Sequence, residues 1–247
     1  MGLEVFFTPK SIVVVGASNK GGTVGYSLAR HLMNFKGEVH FVNVHKETIF
    51  GKDSFFSLKE VKHKVDLCII AVPAIYVPNV LLDCALKNIK NVIIISAGFL
   101  ESGRDDLERD ILNIAKKYNI RLLGPNCFGV VNTSNNLDCT FARMSPIRGK
   151  VGFISQSGAL WSYIADYSVS NNLGFSKFAS VGDMADVSFE ELLEYFEKDS
   201  DTKIIMLYIE ALKDGRRFMK AVSSCKKPVI AVKGGIGEAG SRAAHSH

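Results

Sequence analysis

The sequence of 247 residues contains no hydrophobic run long enough to span a bilayer. Its longest apolar runs, such as residues 12–15 and 92–95, have the length of a β-strand, whereas a transmembrane helix needs about 20 apolar residues. The first residues show no charged segment followed by a long apolar stretch. We therefore expect neither a secretory signal nor a membrane partner.

Cysteine is scarce, and its spacing is equally informative. The five cysteines include no CxxC pair, which argues against both a zinc site and a disulfide framework. We therefore expect no metal site, and we expect the protein to work in the reducing cytoplasm.

The chain also lacks a concentrated basic segment. Its net charge is +5, but lysine and arginine are spread along the sequence, and Glu60 and Val61 interrupt the densest run at 59–64. Because nucleic-acid binding needs a clustered basic face, we expect no nucleic-acid partner. The small excess of positive charge suits a small anionic ligand, although a solvated surface explains this charge more simply.

Apolar strands alternate with helices along most of the chain, which predicts doubly wound α/β structure. In the first part, strands are predicted at 11–16, 38–43, 65–72, 91–97 and 121–123, and helices at 24–35, 77–88 and 105–118. The pattern breaks for about 25 residues after Pro125. It then resumes with strands at 151–155, 177–181, 204–209 and 228–233 and helices at 159–170, 189–197 and 215–224.

This alternation predicts two α/β domains with a boundary near residues 143–150. The last strand, 228–233, is expected to be buried. A complete doubly wound domain usually has a further helix and strand after its fourth strand. We therefore expect the sequence to be the front portion of a longer protein.

A glycine-rich turn joins the first strand to the first helix. Gly16 and Gly25 permit a tight turn and a close approach to a pyrophosphate, and Ser18 adds a hydroxyl at the helix start. The turn departs from GxGxxG, so by itself it is weak evidence. An NAD site needs Asp or Glu at the end of the second strand, where this sequence has Asn43 followed by Lys46. These residues suit a phosphorylated adenosine, and a strand-end turn explains Asn43 equally well.

A second candidate anion site lies where the strand at 151–155 passes into a helix. Ser155, Ser157 and Gly158 would offer hydroxyl and N–H groups at that helix start. An ordinary helix N-cap is the simpler reading, and both can hold. The segment does not match the nucleophile elbow of serine hydrolases, because Ser155 stands at the first glycine position.

The chain ends on a glycine-rich segment with two histidines, His245 and His247. Histidine can accept a phosphoryl group on a ring nitrogen, and glycines would allow such a segment to move. A frayed polar terminus is the simple alternative.

Several sequence blocks together resemble one family. They are GAS at 16–18, FVN at 41–43, SAGF at 96–99, GPNCFG at 124–129, ISQSGAL at 154–160, SVGDMADV at 180–187, YIE at 208–210 and SH at 246–247. In this order and spacing the chain resembles, over essentially its whole length, the α part of ADP-forming acetyl-CoA synthetase (acetate–CoA ligase), a relative of the succinyl-CoA synthetase α subunit.

The resemblance implies a Rossmann-like CoA-binding domain, residues 1–143, and an incomplete flavodoxin-like ligase domain, residues 150–247. It implies that acyl-CoA, phosphate and ADP give acid, CoA and ATP reversibly, through an acyl phosphate and a phosphohistidine. The phosphorylated histidine of that family lies in an SHTG segment, and Ser246-His247 matches its first half. His247 is therefore the expected phosphoryl carrier.

The same resemblance implies roles for other residues. Glu210, at the carboxyl end of a strand, would hold the second ring nitrogen of His247. Asn126 would contact substrate or phosphate. CoA would lie against three residues at the end of the fourth strand, Ser96, Ala97 and Gly98.

ADP or ATP with Mg²⁺ is expected to bind to an ATP-grasp β subunit or to fused C-terminal domains. The expected substrates are a small carboxylic acid and phosphate, and the protein is expected to be an oligomer. One alternative is a non-catalytic CoA-binding regulatory module, against which the presence of both His247 and Glu210 argues. The other is an NAD-binding redox protein, against which the missing ribose carboxylate argues.

Overall fold

The computed structural model describes residues 2–235. The helices are α1 Glu4–Phe7, α2 Val24–Leu32, α3 Val77–Leu86, α4 Asp105–Tyr118, α5 Gly158–Ser170, α6 Phe189–Lys198 and α7 Gly215–Ser224. The strands are β1 Ser11–Val15, β2 Glu38–Val42, β3 Thr48–Ile49, β4 Lys52–Asp53, β5 Leu67–Ile70, β6 Asn91–Ile94, β7 Arg121–Leu123, β8 Val130–Asn132, β9 Leu137–Asp138, β10 Arg148–Ser155, β11 Phe175–Ser180, β12 Ile204–Ile209 and β13 Val229–Lys233.

The first sheet is parallel throughout, with strand order β2-β1-β5-β6-β7. Every residue of β1, β5 and β6 is buried, as expected for strands covered by helices on both faces. The order reverses direction at β1, so the turn after β1 and the turn after β5 open side by side at the carboxyl edge. The predicted Rossmann-like domain is confirmed.

The second sheet has the order β13-β12-β10-β11-β8-β9. Its first four strands are parallel, whereas β8 pairs antiparallel with β11. The flavodoxin-like expectation for this part is also confirmed. The pairing of β8 was not predicted, because three residues are too few to show a period. β8 precedes the predicted boundary at 143–150 yet belongs to the second sheet, and the domain limits themselves stay a prediction.

Several elements are shorter than their patterns predict. The predicted strands 65–72 and 91–97 end at Ile70 and Ile94, and the residues that follow turn away at the carboxyl edge. The predicted helix 24–35 ends at Leu32, because the amides of residues 33–35 bond to carbonyls three positions back, which tightens the last turn.

The expectation that strand 228–233 is buried is wrong. Ile230 and Val232 on β13 are each 54% exposed. β13 is the outermost strand of its sheet and pairs only with β12 among the described strands, so its side chains have fewer neighbours than those of a central strand.

Aromatic side chains fill the core beside the second sheet. Trp161 of α5 stacks on Phe178 of β11 with ring centroids 3.8 Å apart, and both side chains are fully buried. Trp161 is therefore a core residue of this part of the chain. Along residues 2–235, no helix combines the length and the apolarity that crossing a bilayer demands.

Candidate functional site

A cavity of about 720 Å³ lies between the two sheets. Its lining comes from the segments that follow β5, β6 and β7 in the first sheet and β10, β11 and β12 in the second. The carboxyl edges of both sheets thus open into one space. Ligands of open α/β sheets bind at this edge, because the loops there carry free backbone groups and can vary.

Six of the residues singled out from the sequence line this cavity, and they come from both sheets. They are Ser96, Ala97, Asn126, Ser157, Gly158 and Glu210. The structure therefore brings together residues up to 114 positions apart that the sequence placed only on separate strands.

Asn126 is held tightly at the cavity. Its backbone has φ +52°, its N–H donates to Ser96 O at 3.0 Å, and its Nδ2 donates to Asp183 Oδ1 at 3.2 Å. Asn tolerates this left-handed conformation better than most residues. The side-chain amide therefore joins the end of β7 to the loop after β11.

Asp183 is a residue that the sequence analysis left without a role. It lines the cavity, and its Oδ2 is buried with no hydrogen-bond partner among residues 2–235. Burial raises the pKa of Asp183 to about 7, with the charge of Glu101 acting in the same direction. Its sequence block was recognised as SVGDMADV, but only the fold shows that this carboxyl group is half-buried in the site.

Gln156 positions Glu210 and was also missed. The Gln156 Oε1 accepts from the backbone N–H of Glu210 at 2.6 Å and from that of Ala211 at 2.8 Å. Lys233 Nζ donates to Glu210 O at 2.7 Å. The end of β12 is therefore fixed by both of its neighbouring strands, and Glu210 stands at a defined place on the cavity wall.

The N-terminus of α5 forms another part of the wall. Ser157 caps the helix by accepting from Leu160 N at 3.3 Å, and Gly158 lines the cavity beside it. The first N–H groups of a helix have no intrahelical acceptor and carry the positive end of its dipole. Ser155 is fully buried, and its hydroxyl donates to Ser157 O at 2.8 Å, so it shapes the turn from inside.

The glycine-rich turn after β1 depends on two close approaches. A Cβ on Gly16, whose φ is +93°, would lie 2.4 Å from Ala71 O, and one on Gly25 would lie 2.0 Å from Gly16 O. Both positions therefore require glycine. Ser18 accepts from Lys20 N at 2.9 Å, and Val24 at the start of α2 lines the cavity.

The remaining predicted CoA residues lie outside the cavity lining. Asn43 donates to Ala17 O at 2.9 Å and accepts from His45 N at 2.6 Å, so its amide ties the end of β2 to the turn after β1. Lys46 pairs with Glu60 at 3.2 Å. The N–H of Gly98 donates to the carboxylate of Glu101. Their assignment to CoA stays a prediction.

Cys127 lines the cavity but is buried, and burial raises the pKa of its thiol to about 12. Its Sγ donates to Ile94 O at 3.3 Å. A thiol held protonated in this way is a packing group rather than a nucleophile. His245 and His247 lie outside the described residues.

Comparison with known proteins identifies both parts of the chain. Residues 10–133 match the family described as a CoA binding domain, and residues 148–247 match the family described as a succinyl-CoA ligase like flavodoxin domain.

Among relatives, the chain is similar to acetate–CoA ligase [ADP-forming] of Methanocaldococcus jannaschii, with 48% identity over 99% of this chain and 35% of the relative. It is also similar to subunit alpha of acetate–CoA ligase [ADP-forming] II of Pyrococcus furiosus, with 46% identity over 99% of this chain and 54% of that subunit. The chain thus spans about a third to a half of the curated relatives that it matches.

A solved structure has the same fold. It is the dinucleotide forming acetyl-coenzyme A synthetase 1 of Candidatus Korarchaeum cryptofilum in complex with phosphate and ADP. The TM-score is 0.93 at 38% identity, covering 99% of this chain and 54% of that one. The resemblance read from the sequence blocks is thereby confirmed, and the chain belongs to the family in which a CoA-binding domain is followed by a succinyl-CoA-ligase-like flavodoxin domain.

Proposed function

We propose that this chain is the CoA-binding and phosphoryl-transfer part of an NDP-forming acyl-CoA synthetase, an acid–thiol ligase that converts acyl-CoA, phosphate and ADP into acid, CoA and ATP. The observation that carries the proposal is the shared cavity. It places the carboxyl edge of the CoA-binding sheet opposite the α5 N-terminus and Glu210. A thioester held on one side would meet phosphate held on the other.

The residues present fit CoA on the first side. Gly16 and Gly25 keep the turn after β1 close to the sheet, where a Cβ on either would collide with backbone. Ser96 and Ala97 line the cavity at this edge, and the Ser96 hydroxyl donates to Val72 O at 2.5 Å. We assign the CoA phosphates to the turn at Gly16 and Ser18, and the reactive end of CoA to Ser96 and Ala97.

Phosphate fits the second side. The α5 N-terminus at Ser157 and Gly158 offers N–H donors and a favourable dipole to an anion. Asn126 lies across the cavity with its amide held by Asp183. In the first step a phosphate oxygen would attack the acyl carbon as the thiolate of CoA leaves. The α5 amides would bind the anionic oxygens of the acyl phosphate.

We assign the transfer of the phosphoryl group to His247 and its orientation to Glu210. A ring nitrogen of His247 would attack phosphorus while the carboxylate of the acid leaves, and a carboxylate on the other nitrogen would stabilise the charged ring. The support for Glu210 is its fixed place on the cavity wall; the support for His247 is the sequence resemblance. The phosphorylated histidine would then give its phosphoryl group to ADP.

The nucleotide, with Mg²⁺, would bind to an ATP-grasp subunit or fused domain, because the relatives named above are two to three times longer than their match to this chain. We further propose an oligomer of such parts. Unpaired cysteines at all five positions favour the cytoplasm. We propose a small carboxylic acid as the acid released in this direction and consumed in the reverse one.

Two measurements on this chain test the proposal without its partner. Calorimetric titration should detect CoA binding and no NAD binding. Incubation with radiolabelled acetyl phosphate should label the protein, and His247→Ala should abolish the label while leaving CoA affinity unchanged. Glu210→Gln should slow labelling at least tenfold, whereas Glu194→Gln, at an exposed carboxylate of α6, should not.

Each contrary result has a distinct meaning. CoA binding with labelling that survives His247→Ala would refute the histidine assignment. CoA binding with no labelling at all would leave a non-catalytic CoA-binding module. NAD binding without CoA binding would refute the ligase proposal and favour the redox alternative.

A further inference from the structure

Three metal-ligating side chains meet at the outer edge of the first sheet, away from the cavity. Glu38 and His40 lie two positions apart on β2, so they project from the same face of the strand. His63, in the loop that leads to β5, stacks on His40 with ring centroids 4.7 Å apart. One ligand atom from each of these three residues lies within 4.8 Å of the other two.

His40 has a ring nitrogen that the described protein does not satisfy. Its Nε2 is buried and has no hydrogen-bond partner among residues 2–235. Glu38 Oε2 lies 3.7 Å away, which is beyond hydrogen-bond distance. Buried polar atoms are nearly always partnered, because an unpaired one loses its hydrogen bonds with water and gains none in return. The position of this nitrogen therefore points to a ligand.

We propose that Glu38, His40 and His63 bind one divalent transition-metal ion of the zinc class. Two imidazole nitrogens and one carboxylate oxygen form a donor set that Zn²⁺ favours, whereas Mg²⁺ and Ca²⁺ prefer oxygen donors. Three protein ligands leave a fourth tetrahedral position for water. Cysteine spacing gave no sign of this site, because the set contains no cysteine.

To bind an ion, the three ligand atoms, now within 4.8 Å of one another, must come closer together. Bonds of about 2.0–2.1 Å in a tetrahedral site place neighbouring ligand atoms roughly 3.3 Å apart. The side chain of Glu38 is 68% exposed and that of His63 is exposed, so both are free to turn toward the ion. The His40 side chain is only 13% exposed and stays as the fixed ligand.

The surrounding charges make the carboxylate important. Lys52 lies close enough for its charge to act on His40, and Lys62 and Lys64 flank His63 in an exposed loop. These cations repel a metal ion, and Glu38 is the anion that offsets them. Binding therefore ties the loop at His63 to the edge strand β2 and depends on all three ligands.

The test is calorimetric titration of Zn²⁺ into this chain, carried out in a His245→Gln/His247→Gln background so that the C-terminal histidines do not contribute. The background protein should show one site, and adding His40→Gln and His63→Gln should remove it. The matched control is His45→Gln, an exposed histidine just after β2, which should keep the site unchanged.

A milder variant guards against misfolding. Glu38→Gln replaces an exposed side chain, so circular dichroism should be unchanged while Zn²⁺ affinity falls at least about tenfold, the loss that follows from removing even a supporting group. The proposal is overturned if the background protein binds no Zn²⁺, or if the variant lacking His40 and His63 binds Zn²⁺ with the same stoichiometry and affinity.

Discussion

Replacing Asp183 with Asn should make this protein more stable above neutral pH. The Asp183 carboxyl group lines the cavity, with Oδ1 accepting from Asn126 at 3.2 Å and Oδ2 buried without a partner among the described residues. Burial, followed by the nearby charge of Glu101, raises its pKa from 3.8 to about 7. An amide has no charge to desolvate, and its oxygen can accept the same hydrogen bond.

The magnitude follows from the difference between the folded and unfolded pKa. Below pH 3.8 the carboxyl is protonated in both states and contributes nothing. Between pH 3.8 and 7 the unfolded state releases the proton more readily, so stability falls as pH rises. Above pH 7 the full cost applies, about 4 kcal/mol from the pKa difference. Partial exposure of the group reduces the expected value to about 2 kcal/mol.

The assay is thermal and urea unfolding at pH 4.5 and pH 8, followed by the fluorescence of the single, fully buried Trp161. For a chain of this size, about 2 kcal/mol corresponds to a rise in Tm of about 4–8 °C at pH 8. At pH 4.5 the two proteins should differ by much less. Asp110→Asn, at an exposed carboxylate of α4, is the control and should show no such difference.

An Asp183→Asn protein with the same stability as the parent at pH 8, or a lower one, would show that the Asp183 charge does not destabilise the fold. A gain that was equal at both pH values would also contradict the prediction, because ionisation would not be its source.

Three further predictions concern the scaffold. Asp199→Ala should lower the free energy of unfolding by about 3–5 kcal/mol, because Lys177 is 4% exposed and pairs with Asp199 at 2.7 Å. In urea unfolding, adding Lys177→Met should restore much of this loss, and no restoration would show that burial of the unpaired lysine charge is not the cause. Gly25→Ala should lower the free energy of unfolding by at least about 1 kcal/mol, because the new Cβ would lie 2.0 Å from Gly16 O. At an unhindered helix position the same substitution would raise stability by a similar amount, so a higher Tm would contradict the predicted collision. Ser188→Ala should cost about 1 kcal/mol by removing the capping box of α6, measured as a shift in the urea midpoint, and an unchanged midpoint would exclude that role.

The local pattern of the chain was sufficient for the order and type of its main elements. The predicted helix at residues 105–118 and the predicted strands at 121–123 and 204–209 have the bounds that the structure shows. Their apolar spacing, caps and flanking turns act within a few residues, so the sequence contains the necessary information locally. The sequence blocks also sufficed to identify the family.

The composition of the site depended on contacts between distant segments. No local signal brings Asn126 to Asp183 or Gln156 to the backbone of Glu210. The first pair meets only because the two sheets pack with their carboxyl edges together, and the second only because β10 and β12 pair in one sheet. The pKa of Asp183 likewise comes from burial, which is a property of the assembled fold.

Short-range patterns along the chain were sufficient to predict two α/β units, their main strands and helices, the family, and the residue types at the carboxyl edges. The tertiary structure decided that both edges open into one cavity, that β8 joins the second sheet, that β13 is exposed at its edge, and that His40 meets His63 across 23 residues. Periodicity records which face of an element is apolar, but it does not record which element covers that face. The difference has a physical reason. Secondary structure follows from short-range backbone and side-chain preferences, whereas the site forms only when strands and helices pack against one another.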